Sequence, residues 1–471
     1  MTREWVLNHV PSHPVSSWVI RHGVYPFWLR RNHPHYFRYA RQFHKTQHFS
    51  ADELHHWQSQ RLREQLLHAF RNIPFYRRRF EMAGMTPLDI QTPEDLKAVP
   101  VLTRGELQKH GAELLAGNVP PEQRVPQQTS GATGMPVQFW VDAERIDSRR
   151  ASLDRHNAWA GLRPGTWYAQ LSGSPVNAAH GAQEIRWRDR FLDRRLTLNT
   201  SLISDEDLAR FVQLLRRFRP RVLVAYAQSA VLFARYCEQN GLRDLHFRSI
   251  IVTAEMLLPG QRALLEEIFH GQVFNRYSSK EFSVIASDCP ELTGMHLNAD
   301  ALIVEVDPSA RFAAGTGRVL VTDLLNRAMP LIRYEIGDVA SPLETAACPC
   351  GRVFPRIINL RGRVTDFLVT PDHYRISGVP LASIAADLPQ VRQVQLLQSE
   401  PARVQLRVVP GEQYSMATVA ELRRRLDVYF RGKAEITVVT VERIQPRRLG
   451  KFRLTQSSAG LSDSFAGRRS A

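Results

Sequence analysis

Between residues 121 and 340, short apolar runs alternate with helix-like stretches, and this alternation restricts the possible fold more than any other feature of the chain. "PVQFWV", "TWYAQL", "RVLVAYA", "SIIVTAE" and "QVFNRY" are strand candidates, with "DEDLARFVQLLRRF" and "PGQRALLEEIF" lying among them as helices. Such a pattern predicts an α/β domain with a substantial parallel component. Functional residues are then expected in loops beyond the carboxyl ends of the strands.

The flanking segments read differently. Residues 1–49 are rich in His, Arg and aromatics and lack clean periodicity. Their histidines, with those just beyond (His33, His35, His44, His48, His55, His56), show no repeated ligand spacing and are read as surface groups. Helix begins at Ser50, which forms a capping-box pattern with Glu53. Leu54, Trp57, Leu62, Leu66, Phe70 and Ile73 then line one face, and Pro74 breaks and restarts the helix. Near the other end, "VRQVQLLQSEPARVQLRVVP" reads as two alternating strands around a Ser-Glu-Pro turn. A helix over 417–430 and a strand over 434–441 complete a small α+β lobe. The expected division is an extension over 1–49, a large domain over 50–362, a small domain over 363–455 and a disordered tail over 456–471.

Composition bounds the function classes. A chain of 471 residues calls for two or three domains. No run approaches the length of a membrane span, and the N-terminus lacks an apolar signal-peptide core, so a cytoplasmic protein is expected. Four cysteines argue against a disulfide framework. The net charge of +16 is spread through helix-like stretches without a nucleic-acid module. A solvated basic surface is the first reading, and peripheral attraction to a membrane the second.

Residues 129–136 read "TSGATGMP". Thr129, Ser130 and Thr133 offer hydroxyls, while Gly131 and Gly134 would let the backbone wrap anionic oxygens. This is not the P-loop pattern, and alone it reads equally well as a turn. Five stretches follow it in order: "TAE" (253–255), "YSSKEF" (277–282), "LIRYEIGDV" (331–339, with Asp338 in a Gly-Asp turn), "RGRVTDFLV" (361–369) and "LGKFRL" (449–454).

The ordered set resembles the adenylate-forming superfamily of acyl- and aryl-CoA ligases. Within it, the match is closest to the phenylacetate–CoA ligase branch and its relatives from capsular polysaccharide gene clusters. It spans about residues 50–455 and implies a large multi-sheet domain followed by a small, mobile α+β domain. The resemblance implies that Thr129–Pro136 holds the ATP phosphates. Ala254 and Glu255 would border the adenine, Tyr277 would stack near it with Ser278 beside it, and Glu281 would act with Mg²⁺. Asp338 and Arg363 would hold the ribose, and Lys451 would bridge the substrate carboxylate and ATP during adenylation. Coenzyme A is the implied acceptor; an amine or hydroxyl acceptor, and a nucleotide-binding pseudoenzyme or scaffold, are the alternatives. Many such enzymes are dimers, which makes a homodimer an expectation by analogy. The chain departs from the pattern at Met135 and Lys280, and at Ser278 and Thr365.

"AYAQSAVLFARY" (225–236) occupies the place where this branch positions its acid, making Tyr226, Gln228 and Ser229 pocket candidates. Val231, Leu232 and Tyr236 read instead as helix packing. Separately, Cys289 and His296 in "DCPELTGMH" and Cys348 and Cys350 in "CPCGR" supply four ligands suited to a structural Zn²⁺ that staples two loops.

Overall fold

The computed structural model describes residues 14–128, 137–172, 192–200, 205–308, 315–363, 368–371, 375–376, 385, 388, 390–430, 432–444 and 455–457. Their centre is an eight-stranded sheet. Five strands run parallel: β3 (Tyr168–Ser172), β4 (Arg195–Asn199), β5 (Val222–Tyr226), β6 (Ser249–Thr253) and β7 (Gln272–Ser279). They are extended antiparallel by β8 (Ser283–Asp288), β9 (Met295–Leu297) and β13 (Arg356–Ile357), in the order β13-β9-β8-β7-β6-β5-β3-β4. The expected parallel component is present, but "PVQFWV" lies outside it. β2 (Gln138–Asp142) pairs only with β1 (Arg124–Gln128), in an antiparallel two-stranded sheet. Its alternation of an exposed Gln138 with buried Phe139 and Val141 suits a strand with one covered face.

Helices return the chain between the parallel strands. α7 (Asp205–Phe218), α8 (Ala227–Gln239) and α9 (Pro259–Phe269) bury Phe211, Phe233 and Phe269 against Leu171, Leu198, Val252 and Val273. A second, antiparallel sheet contains β10 (Leu302–Asp307), β11 (Gly317–Asp323), β12 (Tyr334–Ala340) and β14 (Leu360–Arg363). Its core, with Tyr334 and Val321, is shared with Phe282 and Ile285 at β8 and with Leu62, Leu66 and Tyr76 from the N-terminal helices. The strands carrying Tyr277 and Asp338 thus belong to two sheets that pack on one apolar cluster.

The helix beginning after Ser50 is α4 (Ala51–Asn72), and both halves of its capping box are made. Leu54, Leu62, Leu66 and Ile73 are buried, Trp57 and Phe70 half-buried, and Pro74 starts α5 (Pro74–Met82). The preceding extension is more ordered than its composition suggested. Ahead of α4 lie α1 (Pro14–Val19), a π-turn (Ile20–Val24), α2 (Tyr25–Asn32) and α3 (Tyr36–Thr46). The periodicity was hidden because the buried face uses tyrosines: Tyr25 and Tyr36 donate to Asp154, and Tyr39 donates to Glu144, all on α6 (Ala143–Trp159). His33 is not a free surface group either, since its ring lies 2.7 Å from Asp147.

The C-terminal segment has its own core of Leu368, Leu396, Leu406, Leu422, Leu426 and Phe430. The expected hairpin is β17 (Val391–Glu400) with β18 (Arg403–Pro410), flanked by α10 (Met416–Phe430) and β19 (Glu435–Thr440). The tail expected from 456 begins too early. Gln456 and Ser457 belong to β20 (Thr455–Ser457), a parallel neighbour of β17. Among the described residues no helix is long and apolar enough to cross a membrane.

Candidate active site and a Cys/His cluster

The carboxyl ends of the parallel strands carry an unusual density of hydroxyl groups. Thr253, the last residue of β6, places its hydroxyl 3.0 Å from that of Ser278 on β7. Thr200, just past β4, lies 2.9 Å from the hydroxyl of Ser229 at the start of α8. Between them, Ala254 leaves β6 with φ +69°, a left-handed conformation that a residue with a Cβ adopts only when its surroundings enforce it. Glu255 follows, and its charge helps burial raise the Tyr226 phenol above its ordinary range, which places these two side chains in one electrostatic neighbourhood.

Tyr277 and Asp338 form the floor of this region. Both are buried, and the phenol donates to the Asp338 carboxylate at 2.6 Å. The anticipated Gly-Asp turn does not form. Asp338 lies within β12 at a register shift, next to Gly337 with φ +87°, so a bulge aims its carboxylate. Opposite Asp338 in register stands Arg363 on β14, which brings two expected ribose residues to adjacent backbone positions.

Glu281 sits in the tight connection between β7 and β8 and is buried, whereas Lys280 is exposed. Arg149 from α6 donates to the main-chain carbonyls of Lys280, at 3.4 Å, and of Glu281. Burial, with Arg145 nearby, pushes the Arg149 guanidinium down to about 9. This support was missed in the sequence because an arginine in an arginine-rich helix carries no motif. Thr200 could have been found: it directly follows a strand of the parallel set.

The loop 129–136 and Lys451 lie outside the described residues, as do the side chains of Gln228 and Arg363. The structure therefore brings Tyr277 to Asp338, Ser278 to Thr253 next to Ala254, and Glu255 to the neighbourhood of Tyr226, with Ser229 at the same end of the sheet, while Glu281 follows Ser278 in the β7–β8 connection. Of the residues assigned to helix packing, Val231 is buried and Tyr236 half-buried, while Leu232 is exposed. A cavity of about 370 Å³ lined by Tyr25, Arg150, Tyr168 and Arg195 opens at the opposite, amino ends of β3 and β4.

Behind Tyr277 the four expected metal ligands converge. Ligand atoms of Cys289, His296, Cys348 and Cys350 lie within 4.8 Å of one another. The Cys289 and Cys348 sulfurs are 3.8 Å apart, and Cys350 Sγ is 3.3 Å from His296 Nε2. A disulfide would need about 2.0 Å. Tetrahedral zinc, with Zn–S near 2.3 Å and Zn–N near 2.0 Å, sets edges of about 3.8 and 3.5 Å. His296 Nδ1 lies 2.8 Å from the Phe354 carbonyl and donates to it, which leaves Nε2 as the metal-facing nitrogen. Burial lowers His296 to about 4, keeping it neutral, while burial and the neighbouring sulfurs push the Cys289 thiol up to about 12. A divalent cation would relieve that second penalty by stabilising thiolate. The donor set fits zinc.

No family model matches the sequence. Curated relatives do: the phenylacetate–coenzyme A ligase of Thermus thermophilus is 28% identical over 333 residues, covering 68% of this chain and 72% of that protein. Over about two thirds of its length the chain is similar to the phenylacetate–coenzyme A ligases. The Escherichia coli phenylacetate–coenzyme A ligase is 27% identical over 68% of this chain and 73% of its own length. Protein CapK of Staphylococcus aureus is 21% identical over 76% and 77%. Among solved structures, 2-hydroxyisobutyryl-CoA ligase in the postadenylation state with 2-HIB-AMP superposes with TM-score 0.70 at 22% identity, covering 88% of this chain and 91% of that one. The same ligase with 2-HIB-AMP and CoA in the thioesterification state gives 0.58 at 21% identity, covering 88% and 92%. The fold is that of adenylate-forming ligases, with a large N-terminal and a smaller C-terminal part.

Proposed function

We propose that the protein activates a carboxylic acid with ATP and transfers the acyl group to coenzyme A. The Tyr277–Asp338 pair beside left-handed Ala254, at the carboxyl end of a parallel sheet, is the observation that carries this reading. Adenine is bordered by Ala254 and Glu255 with Tyr277 against it, and Asp338 and Arg363 hold the ribose diol. Thr129, Ser130, Gly131, Thr133 and Gly134 grip the phosphates through hydroxyls and backbone N–H groups, which do more of the work because Met135 supplies no charge.

In the first half-reaction a carboxylate oxygen of the acid attacks the α-phosphorus, the acyl–phosphate bond forms, and the bond to pyrophosphate breaks. Negative charge gathers on the α-phosphate oxygens, where Lys451 stabilises it. The buried carboxylate of Glu281, its main chain held by Arg149, is a suitable hard donor for a nucleotide-bound Mg²⁺, which would supply further positive charge. In the second half-reaction the thiolate attacks the acyl carbon and AMP leaves. Rotation of the small domain, from about 363, about residues 364–366 withdraws Lys451 and admits the thiol.

Cys289, His296, Cys348 and Cys350 would hold a structural Zn²⁺ with all four positions taken by protein, apart from the chemistry. The second reading passes the adenylate to an amine or hydroxyl instead of coenzyme A.

Separating the half-reactions tests the assignment. Lys451→Ala should lower adenylate formation about a hundredfold or more while thioester formation from preformed acyl-adenylate is retained. Unchanged adenylation would remove Lys451 from the mechanism, and AMP release that ignores coenzyme A but requires an amine or alcohol would select the second reading.

A further inference from the structure

From Trp5 to Ala51 the chain contains no Asp or Glu, yet carries Arg21, Arg30, Arg31, Arg38, Arg41 and Lys45. All six cations are exposed on the N-terminal helices. The acids these helices meet are Glu144, Asp147 and Asp154 on α6, bound through Tyr39, His33, Tyr25 and Tyr36, and Asp300, bound through Thr46; the half-exposed Glu144 also pairs with Arg38 at the edge of α3. Around α1 and α2 the acids met, Asp147 and Asp154, thus lie on the inner side, while Arg21, Arg30 and Arg31 are exposed.

The same outer face is apolar where α1 and α2 meet. Val15 is 61% exposed, Trp18 64%, Val19 44%, Val24 47% and Phe27 67%. Val15, Trp18 and Val19 share a face at helical spacing. The π-turn Ile20–Val24 adds a residue to the next turn, which shifts the phase so that Phe27 rejoins that face while Ile20, Tyr25 and Leu29 stay buried. The element is fixed in place. Gly165, with φ +81°, packs so tightly on α1 that an added Cβ would stand 2.5 Å from the Ser17 carbonyl oxygen. Exposed Trp and Phe on a rigid platform beside Arg21, Arg30 and Arg31 are therefore a built feature of the surface, not a frayed end.

We infer that the α1–α2 face is an interfacial membrane-binding element that seats the protein on a bilayer containing anionic phospholipid. Trp18 and Phe27 enter the boundary between headgroups and acyl chains, and the arginines meet lipid phosphates. Charge complementarity favours this occupant over a second copy of the chain, whose matching face would bring the same arginines against one another. The helix is too short and too charged to span, so the attachment is peripheral and salt-sensitive. It is independent of the proposed chemistry and is read without any activity assay.

Flotation of the full chain with vesicles decides the matter, comparing phosphatidylcholine alone with phosphatidylcholine mixed with phosphatidylglycerol, at low and high salt. The protein should float with the mixed vesicles at low salt and lose most of that binding at high salt. Trp18→Ser combined with Phe27→Ser should weaken partitioning about tenfold, with an unchanged melting temperature because both side chains are exposed. Arg30→Gln combined with Arg31→Gln should weaken it similarly on mixed vesicles only. Failure of the wild-type chain to float would overturn the inference. So would equal binding of the aromatic double variant, binding seen only after deletion of residues 1–13, or a dimer that these substitutions dissociate without any vesicle binding.

Discussion

Two buried polar clusters join the same pair of chain segments. Tyr277 on β7 meets Asp338 on β12, and a short way along, Cys289 and His296 after β8 meet Cys348 and Cys350 after β12. The first cluster gathers one phenol, one carboxylate and nearby hydroxyls around a strained backbone, and every one of those groups can also bond a ligand. The second presents three sulfurs and one imidazole nitrogen within 4.8 Å of one another, a set that would fill all four positions of a tetrahedral ion. One region is arranged to exchange partners and the other to keep them. Placed side by side, the closed cluster ties the segment after β12 to the β8–β9 region of the eight-stranded sheet.

That contrast can be broken at either end. The largest effect belongs to the open cluster: Asp338→Ala should lower kcat/KM for ATP about a hundredfold while lowering the melting temperature by only about 5 °C, from the buried Tyr277 phenol left unpaired, measured by adenylate formation and thermal unfolding. The closed cluster should answer in the opposite way. Cys350→Ala or chelation should remove about one equivalent of zinc and lower the melting temperature by about 10 °C, while the folded fraction keeps much of its activity. A variant without metal whose stability is unchanged would sink the structural assignment.

Smaller changes sharpen the boundary between the two. Arg149→Met should lower kcat/KM about tenfold and raise the Mg²⁺ concentration needed for half-maximal activity, because it loosens the main chain of Lys280 and Glu281. Arg149→Lys should restore part of both; a loss without any Mg²⁺ dependence would make Arg149 purely structural. The mildest change concerns the acid. Thr200→Val with Ser229→Ala should shift the ratio of kcat/KM for a hydroxylated acid over its deoxy analogue about tenfold toward the deoxy form, and an unchanged ratio would place the acid elsewhere.

Much of this was legible in the sequence because chemistry and local geometry coincide there. The Cys289, His296, Cys348 and Cys350 set needed only ligand type, and the parallel strands announced themselves as apolar runs between amphipathic helices. Tyr277 and Asp338 were found through motif order, although their hydrogen bond depends on how two sheets pack, which no local pattern encodes. The bulge at Asp338 was misread as a turn because Gly-Asp usually marks one, and only pairing with β11 and β14 turns it into a strand irregularity. The N-terminal helices were missed because their buried positions are tyrosines whose hydroxyls find acids on a distant helix.

The most direct test of the central claim is ATP–pyrophosphate exchange by the wild-type protein across aryl, fatty and hydroxy acids. Exchange should require Mg²⁺ and a particular class of acid, and should fall about a hundredfold in Asp338→Ala. No exchange with any acid, together with no binding of ATP, would contradict it.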